Sequence, residues 1–138
     1  MTAAGSSSRS TLHKLPAQCV RALAPFERAA LEDWAAESGQ RFVDIDLAAA
    51  ADKKAVLRAI GRALSFPRCY GANLDALYDC LTDLPERDET AGWLILLRGL
   101  RETGDFDAEQ RSALLDVFRD AGEVFAEAGR TWRVFHAP

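Results

Sequence analysis

The sequence predicts a single α/β domain built on a parallel sheet. Three runs have the composition of strands, at 41–47, 91–99 and 131–137, and segments with helical periodicity lie between them. Strands separated by helices imply β-α-β units with right-handed crossovers, and therefore parallel strands. The chain has 138 residues, with 49% hydrophobic and 28% charged content, which is typical of one globular domain with a substantial core.

In the first half of the chain, apolar residues at helical spacing predict a helix over 24–38. Asp52 is expected to cap a second helix over 53–65, because its side chain can accept a hydrogen bond from a backbone amide of the first turn. Pro67 should follow the end of that helix, since the residue before a proline favours extended geometry. The predicted strand at 41–47 lies between these two helices in the sequence.

In the second half, Asn73 is expected to cap a helix over 74–84, and Pro85 with the charged segment PERDET that it begins should end that helix. A long amphipathic helix is predicted over 108–129, and Gly122 is a point where it could divide into two pieces. The run at 91–99 is apolar at nearly every position, as expected for a strand that is covered on both faces.

The N-terminal part of the chain is less clearly patterned. Residues 1–12 are mostly small and polar and are expected to be a disordered leader, residues 13–40 an N-terminal extension with one helix, and residues 41–138 the main domain. The first residues lack the apolar segment of a secretory signal. No apolar run approaches the ~20 residues that a membrane span needs.

Cysteine usage favours a reducing, cytoplasmic setting. Cys19, Cys69 and Cys80 form an odd set without the paired spacing of a zinc site or a disulfide framework. We therefore predict no metal, no cofactor and no catalytic residue. A divalent metal held by aspartates four residues apart, in a metal-assisted hydrolase, is the distant enzyme alternative.

Acidic residues are concentrated in the second half of the chain. Residues 1–65 contain nine Lys/Arg and seven Asp/Glu, whereas residues 66–138 contain eight and fourteen, for a net charge of −4 overall. Direct binding of nucleic acid needs a basic surface, so this distribution argues against it. The acidity serves either solubility alone or attraction of a basic partner.

The segment FPRCYGANLDALYDCL at 66–81 is the strongest candidate site. Asp75, Asp79 and Asp83 follow each other at intervals of four, so one helix face should present all three carboxylates. Tyr78 lies among them, and tyrosine beside carboxylates is typical of protein interfaces because it combines contact area with a polar tip. Spacing alone is also compatible with an ordinary solvated helix surface.

The order of residues around these aspartates resembles the barstar family of ribonuclease inhibitors. The matching residues are Pro67, Tyr70-Gly71, the run Asn73–Leu77, and Asp79-Cys80-Leu81. A second match is Val117-Phe118-Arg119 followed by an acid, Asp120, and the resemblance extends over roughly residues 41–136. It implies a single α/β domain with a three-stranded parallel sheet and packed helices, acting as an inhibitor and not as an enzyme.

The resemblance also implies a partner-binding surface. In this family a helix and the loop before it plug the ribonuclease active site, and the residue matching Asp79 takes the place of a substrate phosphate. Carried over by position, Asp75 and Asp79 are the central contacts, and Asp120 matches a contacting glutamate. The remaining predicted contacts are Cys69, Gly71, Asn73, Leu74 and Tyr78.

Three residues depart from the family pattern. Cys69 replaces an aromatic residue, Tyr78 replaces a tryptophan, and Asp120 is one methylene shorter than the family's glutamate. These differences favour a related basic endoribonuclease, such as a toxin encoded with the inhibitor, over barnase itself. The alternative function is an acidic regulatory module that binds a basic partner other than a nuclease.

Overall fold

A computed structural model describes residues 11–67 and 70–138, and it shows four helices and four strands within these ranges. The strands are β1 (Gln18–Ala22), β2 (Gln40–Asp46), β3 (Gly92–Arg98) and β4 (Thr131–His136). The helices are α1 (Arg28–Ser38), α2 (Lys53–Ala63), α3 (Leu74–Arg87) and α4 (Ala108–Glu127). The predicted α/β class is confirmed.

All four strands run parallel in the order β1-β4-β3-β2. The expected three-stranded sheet is thus extended by β1, which pairs with β4 from Gln18↔Trp132 to Ala22↔His136. Gly92 pairs with Thr131 across β3 and β4, and a Cβ at Gly92 would lie 1.7 Å from the Thr131 Oγ1. Only a glycine fits at that register.

Two separate apolar layers cover the sheet. Trp93, Ile95 and Leu97 of β3 point to the layer formed with α2, α3 and α4. Leu94 and Leu96 point the opposite way, into a smaller layer formed with α1 and the N-terminal segment. This alternation along one strand explains why 91–99 is apolar throughout. All three tryptophans are core residues, since Trp34, Trp93 and Trp132 are at most 5% exposed.

The structure differs from several expectations about the helices, and α1 begins at Arg28 and not at residue 24. Helix α3 continues through Pro85 to Arg87, and its last carbonyl groups are held by Arg130, whose Nη2 donates to Pro85 O at 3.1 Å and whose Nη1 donates to Asp88 O at 2.6 Å. These hydrogen bonds satisfy carbonyl groups that have no amide partner at the C-terminus of the helix, where a cation is also favourable. Helix α4 does not divide at Gly122, which is buried beside β1 and Trp132.

Among the residues that the structure describes, no helix is long and apolar enough to cross a membrane.

Candidate functional site

The acidic helix α3 begins at a well-defined cap. The Asn73 side chain accepts a hydrogen bond from the Ala76 amide at 2.8 Å, which confirms the predicted capping role. Ala72, the residue before it, has φ +50° and is buried, so the chain turns sharply just before the helix. The turn and the cap together fix where α3 begins, and Asp75 lies in its first turn.

Three carboxylates form an acidic stripe on α3, defined as Asp75, Asp79 and Asp83. All three residues are exposed, and their four-residue spacing places them along one side of the helix. The apolar residues Leu77, Leu81 and Leu84 are at most 5% exposed and anchor the opposite side to the core. The helix is therefore fixed by its apolar side and presents its charge to solvent.

Tyr78 is the one large hydrophobic residue among the described residues that is exposed, at 37%. It immediately precedes Asp79 in α3. Its backbone carbonyl accepts a hydrogen bond from the Thr82 hydroxyl at 2.9 Å, within the same helix. An exposed aromatic ring beside carboxylates offers both contact area and charge to a partner.

Other predicted contact residues surround the start of α3. Gly71 is exposed, and a Cβ there would lie 3.0 Å from the Asn73 Nδ2, so the bare backbone makes room for the capping side chain. Leu74 is half-buried and packs against the core, which leaves only part of its side chain for a partner. Cys69 lies outside the described residues.

Asp120 lies on a different element from the other predicted contacts. It is exposed near the middle of α4, and α4 packs directly against α3. The carboxylate of Asp120 therefore belongs to the helix beside the acidic stripe and not to the stripe itself.

The loop before α3 is anchored by Tyr70, a role that sequence reasoning missed. The Tyr70 ring packs on Gly61 of α2, where a Cβ would lie 2.8 Å from two ring carbons, and it meets the Phe66 ring edge-on at 5.1 Å. Burial, with a smaller effect of nearby Cys80, raises the pKa of Tyr70 to about 12. The glycine inside the predicted helix 53–65 was the available sequence signal for a close packing partner.

A second anchor joins the two ends of this segment. The Arg87 Nη2, at the end of α3, donates a hydrogen bond of 3.0 Å to the carbonyl of Ser65, just after α2. Ser65 has φ +57°, a left-handed conformation that non-glycine residues adopt only at a cost. The loop is thus held at both ends, which presents its exposed residues and the acidic stripe on a fixed frame.

The acidic stripe makes no ion pair within the described part of the chain. The ion pairs seen there connect Arg28 with Glu32 and Asp44, Arg98 with Asp44, Arg41 with Asp88, and Arg119 with Asp116. Within residues 11–67 and 70–138, the three stripe carboxylates thus have no cation that pairs with them. They are available to cations of another molecule.

No three His, Cys, Asp or Glu side chains among residues 11–67 and 70–138 lie close enough together to hold a metal ion. The acidic stripe itself extends over eight residues of α3, which is about 12 Å along the helix axis. The arrangement can therefore contact an extended basic surface better than it can surround a single cation.

A protein-family model described as Barstar (barnase inhibitor) matches residues 40–137. The match includes every strand and helix from β2 to β4 and all the predicted contact residues. The chain belongs to the barstar family. No individual curated protein matches the chain.

Membership of the barstar family favours a ribonuclease-inhibiting protein over an enzyme. The description of the family names the ribonuclease barnase as the protein that is inhibited. The matched region begins at Gln40, so β1 and α1 lie outside it.

Proposed function

We propose that this chain inhibits a basic endoribonuclease by covering its active site with the acidic stripe of α3 and with the loop before that helix. The observation that carries the proposal is the set of three exposed carboxylates that make no ion pair within the described chain. Like charges four residues apart cost an isolated helix a few tenths of a kcal/mol per pair. A surface that bears this cost is well suited to a cationic partner.

The proposed mechanism follows from the chemistry of the target. A ribonuclease active site holds RNA phosphates with Lys, Arg and His side chains, so it attracts anions of suitable spacing. A carboxylate such as that of Asp79 meets those cations but offers no bond to cleave. Asp75 adds a second charge, and Tyr78 adds a large rigid surface that excludes water around the ion pairs.

The site residues have different parts in this proposal. Asp75, Asp79 and Tyr78 contact the nuclease directly, while Gly71 and Asn73 shape the turn that presents them. Asp120 provides a peripheral carboxylate from α4. We further propose that the nuclease is a toxin-type enzyme made by the same cell and that the inhibitor meets it in the cytoplasm.

The decisive experiment measures inhibition of purified basic endoribonucleases by the wild-type chain and by Asp79→Ala. Loss of a charged hydrogen-bonded contact from a desolvated interface costs at least about 2 kcal/mol, which corresponds to about 30-fold in Kd. Asp33→Ala is the matched control, because Asp33 is an exposed aspartate on α1, on the other face of the sheet. Equal inhibition by wild type and Asp79→Ala would refute the active-site model.

A capture experiment from the native cell distinguishes the alternative function. If the basic protein retained by the wild-type chain, but not by Asp79→Ala, has no RNA-cleaving activity, the chain is an acidic regulatory module. Under the inhibitor proposal the captured protein cleaves RNA once it is separated from the chain. Binding should also weaken as salt is raised, because association between opposite charges is screened.

A further inference from the structure

Helix α2 carries a basic counterpart of the acidic stripe. Lys54, Arg58 and Arg62 are exposed and follow each other at intervals of four, and we call them the basic stripe. Val56, Leu57 and Ile60 fix the opposite side of α2 in the core. The basic stripe therefore lies along one solvent-facing side of its helix, as the acidic stripe does on α3.

The basic stripe has no carboxylate partner in the described part of the chain. None of its three residues takes part in an ion pair there, although the whole chain has 21 acidic residues and only 17 basic ones. Unpaired cations on the surface of an acidic protein are available to an acidic partner. In the same way, the acidic stripe on α3 is available to a basic partner.

Grooves on both sides of the basic stripe make it accessible. Arg58 and Arg62 line a groove of about 190 Å³ with Gly61, Phe66, Pro67 and Tyr70. The same two arginines line a second groove of about 300 Å³ with Asp46 at the end of β2 and with alanines that follow β2 or lie in α2, and neither arginine forms an ion pair with Asp46. Both guanidinium groups therefore stand between two depressions into which side chains of another molecule can fit.

The two stripes match each other in charge, number and spacing, and α2 packs against α3. We infer that a second copy of this chain binds here, with the acidic stripe of each copy against the basic stripe of the other. A two-fold axis makes the contact reciprocal, because each copy contributes both stripes. Such a dimer brings six carboxylates and six cations together without any change in the fold.

This dimer would regulate the proposed inhibitor, and that regulatory part rests on the proposed function. The acidic stripe cannot contact a nuclease while it is covered by the partner copy. A nuclease that binds the stripe more tightly converts the dimer into two inhibitor–nuclease complexes. In the absence of nuclease, the dimer protects the unpaired carboxylates from non-specific basic partners.

Self-association is tested by sedimentation velocity over a range of protein concentrations, without any nuclease. The wild-type chain should shift from monomer to dimer mass as its concentration rises, and the dimer should dissociate as salt is raised. Arg58→Glu/Arg62→Glu should weaken the dimer at least about tenfold in Kd. The control Lys14→Glu/Arg101→Glu makes the same charge change at exposed residues outside the stripe and should leave the dimer unchanged.

Charge exchange provides the sharpest test of the contact. Asp79→Lys/Asp83→Lys should also be monomeric alone, but it should form a dimer when mixed with Arg58→Glu/Arg62→Glu, since the altered stripes are then complementary. Circular dichroism establishes that each variant is folded, and Lys54→Glu/Arg58→Glu replaces Arg58→Glu/Arg62→Glu if that variant is not folded. A wild-type chain that stays monomeric at all concentrations in low salt, or a mixture that does not associate, would overturn the inference.

The outcome separates this inference from the proposed function. If the wild-type chain is monomeric and still inhibits a nuclease, the proposed function stands and the inferred dimer is refuted. If the wild-type chain forms a dimer that no basic ribonuclease dissociates, the inferred dimer stands and the proposed inhibition is refuted. If both hold, Arg58→Glu/Arg62→Glu should inhibit the nuclease at least as well as wild type, because its acidic stripe is no longer covered.

Discussion

The hydroxyl group of Tyr70 is buried without a hydrogen-bond partner among the described residues. A hydroxyl that loses water on folding and gains no partner destabilises the folded state. We expect Tyr70→Phe to raise the free energy of unfolding by about 1 kcal/mol, as measured by urea denaturation. Tyr78→Phe is the control and should change little, because Tyr78 is exposed. A less stable Tyr70→Phe would mean that the hydroxyl has a partner in the folded protein.

His136 is expected to make the stability depend on pH. Burial, and then Arg111 and Arg119, lower its pKa from the ordinary value of 6.5, and the Arg111 Nη2 donates to the His136 Nδ1 at 3.1 Å, which requires a neutral ring. Below pH 6.5 the unfolded chain takes up a proton on this ring before the folded chain does. The free energy of unfolding should therefore fall as the pH drops below that value.

The pH effect is measured by urea denaturation at pH 7.5 and about pH 5.5, the lower value chosen to lie below the ordinary histidine pKa. His136→Gln should reduce the difference between the two conditions, because it removes the titrating ring. His13→Gln, which replaces the other histidine of the chain, should leave the contribution of His136 to the pH dependence unchanged. An unchanged difference in His136→Gln would contradict the assignment.

Two glycines inside helices are expected to respond oppositely to the same substitution. A Cβ at Gly122 in α4 would meet Gln18 and Trp132 at 3.5 Å, an ordinary contact, so Gly122→Ala should stabilise the protein by about 0.5–1 kcal/mol through helix propensity. A Cβ at Gly61 in α2 would lie 2.8 Å from the Tyr70 ring, so Gly61→Ala should destabilise it by about 1–3 kcal/mol. Thermal unfolding of both variants checks the pair, and equal effects would contradict it.

Sequence periodicity sufficed for the helices and for three strands, because their apolar residues follow the burial that the fold imposes. It missed β1, whose sequence QCVRA is half-buried at a sheet edge and shows no clear alternation. It also ended α3 at Pro85, since the arginine that supports the last turn comes from residue 130, far along the chain.

The candidate site was predictable to a similar extent. The spacing of Asp75 and Asp79 indicated a shared face, and Asn73 indicated the start of the helix. The packing of Tyr70 on Gly61 depends on a tertiary approach of two segments, so periodicity could not reveal it. The sequence alone did not indicate the basic stripe, because Lys54, Arg58 and Arg62 occupy the ordinary solvent side of an amphipathic helix. Their spacing becomes informative only when it is compared with that of the acidic stripe on the neighbouring helix.

The N-terminal segment shares the sheet and the core with the region matched by the family. Strand β1 forms one edge of the sheet through its pairing with β4, and α1 covers the sheet face opposite α2, α3 and α4. Leu12, near the beginning of the described chain, is fully buried in that second layer. These contacts connect the segment to the strands that support the acidic stripe.

Leu12→Ala should therefore destabilise the whole molecule and not just its N-terminal segment. Truncating a fully buried leucine costs about 2–5 kcal/mol, because it removes apolar contacts and leaves a cavity. Amide hydrogen exchange should show the same loss of protection in β4 and in α3 as in α1, since one sheet connects both layers. Leu15→Ala, at a half-buried position nearby, should have a smaller effect of the same pattern. Loss of protection confined to β1 and α1 would mean that the matched region folds independently of the segment before it.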